Sequence, residues 1–260
     1  MNSKSPNETT NESNGPAKGI SREAFTATRP RRFYKAASID SEGETFRVAL
    51  DGRLAKTPSK RLLALPTRDL AEALVAEWNA QGKEILAETM PLTRLANTIV
   101  DGVIGNEAAV RDDIVAFAGS DLACYRAAAP EGLVEAQSRE WDPVLAWARD
   151  ELGANFQTAI GILHVAQPQA ATECVSRALD GLNAWQLTAL HQMTTLTGSA
   201  LIAIACFKGA ITVEEAWRAA HVDEDWQISQ WGDDDEAMAR REQRWRDMQA
   251  ADRLLGLLSD

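Results

Sequence analysis

Residues 46–57 read FRVALDGRLAKT. Phe46, Val48 and Leu50 alternate with Arg47 and Ala49, the period of two of a half-buried strand. Asp51-Gly52 then separates two apolar runs, and Asp-Gly in that setting signals a two-residue hairpin turn. Similar texture continues on both sides. RRFYKAASI (31–39) and RLLALP (61–66) are short runs of aromatic and aliphatic residues, and Asp40-Ser41-Glu42-Gly43 carries turn chemistry. Residues 31–65 therefore predict three or four antiparallel strands.

Leu65-Pro66-Thr67 opens a helix, with Thr67 as N-cap and Asp69 in the first turn. Leu70, Leu74 and Trp78 recur four apart, beside Ala71 and Val75, and Gly82 follows as the stop. A hairpin sheet needs cover on its apolar face, and this helix supplies it. After Met90-Pro91 the pattern is helical almost to the end. Leu92, Leu95, Ala96 and Ile99 share a face, as do Val110, Ile114, Val115 and Ala118. Residues 131–150 predict one broken helix or two, restarting at Asp142-Pro143. Residues 170–181, 184–207 and 212–220 follow, and a last helix spans about Asp234 to Leu258. Small residues in LTGSALIAIA (196–205), including Gly198, Ala200 and Ala203, suit close helix approach.

The expected fold class is α+β. A small antiparallel β-rich N-terminal domain with a packed helix (29–90) precedes a larger all-helical domain (91–260). Residues 1–28, rich in Asn, Ser, Thr, Glu, Gly and Pro, predict a disordered tail.

The 260 residues are 45% hydrophobic and 25% charged, with a net charge of −11. An acidic surface repels phosphate backbones and anionic lipid, so neither nucleic acid nor a membrane is an expected partner. The longest apolar run, Ala200 to Phe207, is far short of the ~20 residues that span a bilayer. Three scattered cysteines, Cys124, Cys174 and Cys206, fit a reducing compartment, and the N-terminus lacks the apolar segment of a secretory signal. These features point to a cytosolic protein. Basic residues crowd 29–61, whereas the C-terminal stretch is acidic, so the molecule is dipolar.

The sequence holds no pattern of a metal or nucleophile site. His164, His191 and His221 lie far apart, and no phosphate-binding glycine loop or GxSxG elbow is present. His191 is expected to be a hydrogen-bonded structural residue and Cys124 a buried small hydrophobe. No cofactor and no metal are expected. One segment remains: HVDEDWQISQWGDDDEAMARREQRWR (221–246). Asp223, Glu224 and Asp225 precede Trp226-Gln227, and Asp233 to Glu236 follow Trp231-Gly232. Acids at a helix start are favourable by about 0.3–1 kcal/mol each. Of the eight tryptophans, Trp141 and Trp147 belong to core-facing patterns, but Trp226 and Trp231 sit in a segment too charged to be wholly buried. Tryptophan is enriched at interface hot spots. The segment thus suits a protein-binding surface, with a carboxylate-dependent enzyme as the less favoured reading.

Four stretches together carry a family signature: LALPTRDLAEALVAEWNAQ (63–81), ETMPLTRLANTIVD (88–101), DLACYRAAAPEGLVEAQSREWDPVLAWA (121–148) and DEDWQISQWG (223–232). In this combination and order the chain resembles the assembly chaperones of the F1-ATPase α subunit, found in mitochondria and α-proteobacteria. The resemblance implies a non-enzymatic chaperone, monomeric on its own. It would bind the free α subunit, shield its β-facing surface from aggregation and leave as F1 assembles. The implied location is the bacterial cytoplasm, or the mitochondrial matrix in eukaryotic relatives. It implies structural roles for Trp78, Trp141, Asp142, Pro143 and Gly232. It also implies partner contacts by Asp223, Glu224, Asp225, Gln227, Trp231, Asp235 and Glu236. Where relatives carry an acid–aromatic–His-Asp run after Trp-Gly, this chain has DDDEAMA, which leaves Met238 and Ala239 without an implied contact. An adaptor for another client protein is the alternative binding role.

Overall fold

The computed structural model describes residues 29–161 and 163–258, and the expected tail over residues 1–28 lies outside them. Strands β1 (Ala37–Glu42) and β2 (Thr45–Leu50) pair antiparallel with Ala37 opposite Leu50. β2 then turns through Asp51-Gly52 into β3 (Arg53–Leu54) and also pairs with β4 (Ala64–Leu65). Asp51 and Gly52 have φ of 47° and 79°, the positive pair that a right-twisted two-residue hairpin requires. Asp40 and Glu42 are not turn residues. Both belong to β1 and pair with the Arg47 guanidinium on β2 at 2.7 Å, which moves the turn to Gly43-Glu44.

Helix α1 (Arg68–Asn79) covers this sheet. Thr67 Oγ1 accepts from Leu70 N, and Leu70, Ala71, Ala73 and Leu74 are buried. Ala80, not Gly82, caps its end, and Asn79 fixes that end to β1 by exchanging two hydrogen bonds with Ala37, at 2.8 and 3.0 Å. Helix α2 (Pro91–Thr98) has no capping side chain of its own. Glu77 on α1 fills that role, accepting from Leu92 N and Thr93 N, both at 2.8 Å.

The rest is helical apart from a two-residue parallel pair, β5 (Tyr125–Arg126) with β6 (Ala159–Ile160). α3 (Glu107–Ala118) packs on both α6 (Ala184–Thr197) and α7 (Ala200–Phe207), α4 (Glu131–Leu152) packs on α7, and α5 (Gln169–Ala178) lies on α3 and α4. α8 (Val213–Ala220), α9 (Val222–Trp231) and α10 (Asp235–Gly256) complete the chain. Two expectations need correction. α4 runs unbroken through Asp142-Pro143. Proline removes one backbone donor, but Trp141 and Val144 on either side are buried, and Trp141 Nε1 donates to Ala219 O at 2.7 Å. The stretch 184–207 is two helices. Gly198 (φ 68°) ends α6, and Ser199 caps α7 by accepting from Ile202 N.

Beneath that break lies Asp121, fully buried. It accepts from Ser199 Oγ (2.6 Å), Leu201 N (3.0 Å) and Ala123 N (3.1 Å). One apolar core runs without interruption from Tyr34 and Val48 in the β-rich part to Met248 and Leu254 on α10. No helix of the described residues is long and apolar enough to cross a membrane.

Candidate functional site

The acid–tryptophan segment folds as α9 and the start of α10. Of α9 only Val222 is buried, so apolar burial contributes little to holding it. Four side-chain ties attach it, the loosest being Arg244 of α10 at 3.9 Å from Glu224. Asp223 accepts from Gln137 Nε2 on α4 at 2.7 Å, and the other end of Gln137 accepts from Ala127 N. Asp225 pairs with Arg241 on α10 at 2.5 Å. The Trp226 ring lies against Gly132 of α4, where an added Cβ would come within 2.5 Å of Cη2. Glycine at 132 therefore makes the seat for Trp226.

His221 stands at the start of α9, buried, and its ring lies 3.8 Å from that of Trp217. Its Nδ1 meets Trp217 O at 2.8 Å, and its Nε2 lies 3.9 Å from Glu224. Burial holds the imidazole below the ordinary histidine range. Nδ1–H then donates to the carbonyl, which fixes the tautomer of the neutral ring. His191 is hydrogen-bonded as expected, to Asp113 at 2.6 Å, and Cys124 is buried, its thiol pushed up to about 12 by desolvation.

Beyond these ties the outer face of α9 is open. Trp231 is 79% exposed at its C-terminal end. Glu224, Gln227 and Trp231 line one groove of about 290 Å³ between α9 and α10, together with Ile228, Met238 and Arg241. Gly232 (φ 85°) turns the chain, and Asp234 caps α10 by accepting from Ala237 N at 2.8 Å. Asp235 and Glu236 follow in the exposed first turn, with Glu236 paired to Arg240.

The structure thus gathers three of the seven candidate contact residues, Glu224, Gln227 and Trp231, around one groove. Asp223 and Asp225 point to α4 and α10 and act as struts. Asp235 and Glu236 lie on the neighbouring turn. Met238, which the sequence left without a role, lines the groove and is 38% exposed. Its signal was an apolar residue one helical turn past the cap of a charged helix. Of the structural motif, Trp141 is core, and Asp142 pairs with Arg126 at 2.8 Å.

The acids of α9 do not converge as an acid–base pair would. Carboxyl groups pushed above the usual range lie elsewhere, one buried and one half-buried. Asp121 stands at about 6 through desolvation, and Glu77 is raised by the same cause. Both serve as backbone caps. Among the described residues no group of three or more side chains could hold a metal ion.

Comparison with known proteins agrees with this architecture. The family profile described as ATP12 chaperone protein matches residues 31–149. The structure of the Atu1473 protein of Agrobacterium tumefaciens superposes with a TM-score of 0.85 at 45% identity, over 88% of this chain and 87% of that one. Atp12 of Paracoccus denitrificans superposes with a TM-score of 0.82 at 36% identity, over 88% and 99%. The mitochondrial protein atp12 of Schizosaccharomyces pombe is 23% identical over 214 residues, 78% of this chain and 74% of that one. With likeness of this extent running through both the β-rich and the helical parts, the chain belongs to the ATP12 chaperone family.

Proposed function

We propose that this ATP12-family chaperone binds the free α subunit of F1-ATPase through α9 and the first turn of α10. In that position it covers the surface of α that later meets a β subunit, and it leaves as F1 forms. It works by binding alone, without catalysis, in the compartment where α awaits assembly. The observation that carries this reading is Trp231, 79% exposed at the end of an acidic helix and bordering a groove. An exposed aromatic anchor beside complementary charge is the composition of a protein-binding hot spot. A chaperone that releases its client without fuel needs a modest, polar interface of this kind, not an obligate apolar one.

The test is aggregation of α on dilution from denaturant, followed by light scattering. The full chain should suppress scattering near a 1:1 ratio, and added β should reverse the protection. Trp231→Ala should weaken binding at least ~30-fold, the loss of about 2 kcal/mol that defines a hot spot. Glu224→Lys should weaken it while leaving the fold intact, because Glu224 is exposed and its nearest cation, Arg244, is 3.9 Å away. Normal protection by both variants would place the α contact elsewhere. No protection by the parent chain, with α able to fold under other conditions, would mean a different client.

A further inference from the structure

A second recessed surface lies at the sheet end of the molecule. Phe33 is 72% exposed and stands edge-on to Tyr34, with ring centroids 5.4 Å apart. Tyr34 continues this wall to Trp78, at 5.5 Å. The three rings and Leu54 border a cavity of about 630 Å³ whose rim carries Arg53 and Lys56. Tyr34 also borders an adjoining recess of about 570 Å³, lined by Arg31 and Lys83.

The charge around this double recess is one-sided. Five basic residues, Arg31, Arg32, Arg53, Lys56 and Lys83, face two acidic ones, Asp51 and Glu84. Arg32 is taken up by the carbonyls of Tyr34, Lys35 and Asn79, and Asp51 by the backbone amides of Lys35 and Ala36. The ion pairs at this end of the molecule join Arg29 to Glu88, and Arg47 to Asp40 and Glu42. Among the described residues they leave Arg31, Arg53, Lys56 and Lys83 without an acid. The indole of Trp78 adds a buried Nε1 that has no hydrogen-bond partner among the described residues.

We propose that this recess is a docking site for an acidic peptide segment of a protein partner, one that carries aliphatic or aromatic side chains between its carboxylates. Such a segment answers both features at once: its carboxylates meet the unpaired cations, and its apolar side chains cover Phe33 and Leu54. A polyphosphate chain would meet the cations alone, and it would approach a molecule of net charge −11. The site uses the sheet and α1 and no residue of α9, so it stands independently of the α-subunit reading.

The experiment is fluorescence anisotropy of a fluorescein-labelled twelve-residue peptide of alternating glutamate and leucine, titrated with the full chain at low salt. Saturable 1:1 binding is expected. R53E/K56E should weaken it at least tenfold and Phe33→Ala about threefold to tenfold, with Glu224→Lys leaving it unchanged. Arg53, Lys56 and Phe33 are exposed, so the variants should keep the parent melting temperature. The milder R53Q/K56Q should move affinity in the same direction if the reversal disturbs folding. Absence of binding, or equal binding by the parent and both charge variants, overturns the proposal. So does a twelve-nucleotide uridine RNA that binds more tightly than the peptide and depends on the same two residues, since that would make the recess a nucleic-acid site.

Discussion

Asp121 and Glu77 hold backbone from a distance. Asp121 joins the turn before β5 to the first turn of α7, 78 to 80 residues on. Burial raises its pKa to about 6, against an ordinary value of 3.8, and the hydrogen bonds from Ser199, Leu201 and Ala123 offset only part of that cost. The folded state therefore binds the proton more readily than the unfolded chain does. This contribution to stability is full below about pH 4 and is lost as pH rises through about 6. Urea unfolding at pH 4, 5, 6 and 7 should show the stability difference between the parent and Asp121→Asn falling over that interval and flat above it. A difference that does not vary with pH would mean that Asp121 does not titrate there. Glu77 caps a helix that has no cap of its own, so Glu77→Ala should cost about 2 kcal/mol in the same assay. Thr67 was legible as a cap because its partner is three residues away. Asp121 and Glu77 were not, because their partners come from other elements and no local pattern announces them.

Among the elements, α9 is the one that hydrophobic periodicity could not find. It buries one side chain and is held by polar ties and by a tryptophan seated on glycine. Gly132→Ala adds a methyl group where the Trp226 ring lies. The gain in helix propensity, about 1 kcal/mol, roughly offsets the overpacking, so global stability should change by less than about 1 kcal/mol. The effect should fall on α9, whose amides over residues 222–231 should exchange with deuterium at least tenfold faster than in the parent. Unchanged exchange would show that the Trp226 seat is not what latches the helix. The missed continuity of α4 has a related cause. Asp-Pro is a helix start by local rule, yet the burial of Trp141 and Val144 across it carries the helix through. The β2–β3 hairpin and α1 were legible because their signals, Asp51-Gly52 and the Leu70–Leu74–Trp78 face, lie within one or two turns of chain.

For the whole molecule, the change of texture near Met90-Pro91 is a change of secondary structure across one apolar core. Thr67 Oγ1 at the start of α1 donates to Leu257 O beyond the end of α10, at 2.6 Å, so the helix that covers the sheet is joined directly to the C-terminal end of the described chain. Far-UV circular dichroism, which reports the helices, and hydrogen exchange of the β2 amides should accordingly give coincident urea midpoints. Separate midpoints would mean that the sheet and the helices unfold as independent bodies. The family signature was legible in the sequence because its four stretches coincide with elements that hold one another: α1 with α2, and α4 with α9. The groove was not, because it forms between two helices joined by ion pairs from Arg241 and Arg244 to acids more than ten residues away, which no local pattern announces. Against this tightly closed body, α9 has a different standing. Its opening breaks one hydrogen bond, two ion pairs and one ring contact, and draws only Val222 from the core. Under the proposed function, a subunit arriving to displace the chaperone would need only to peel one latch, and local breathing of ten residues, instead of unfolding of the chain, would set the rate of hand-over.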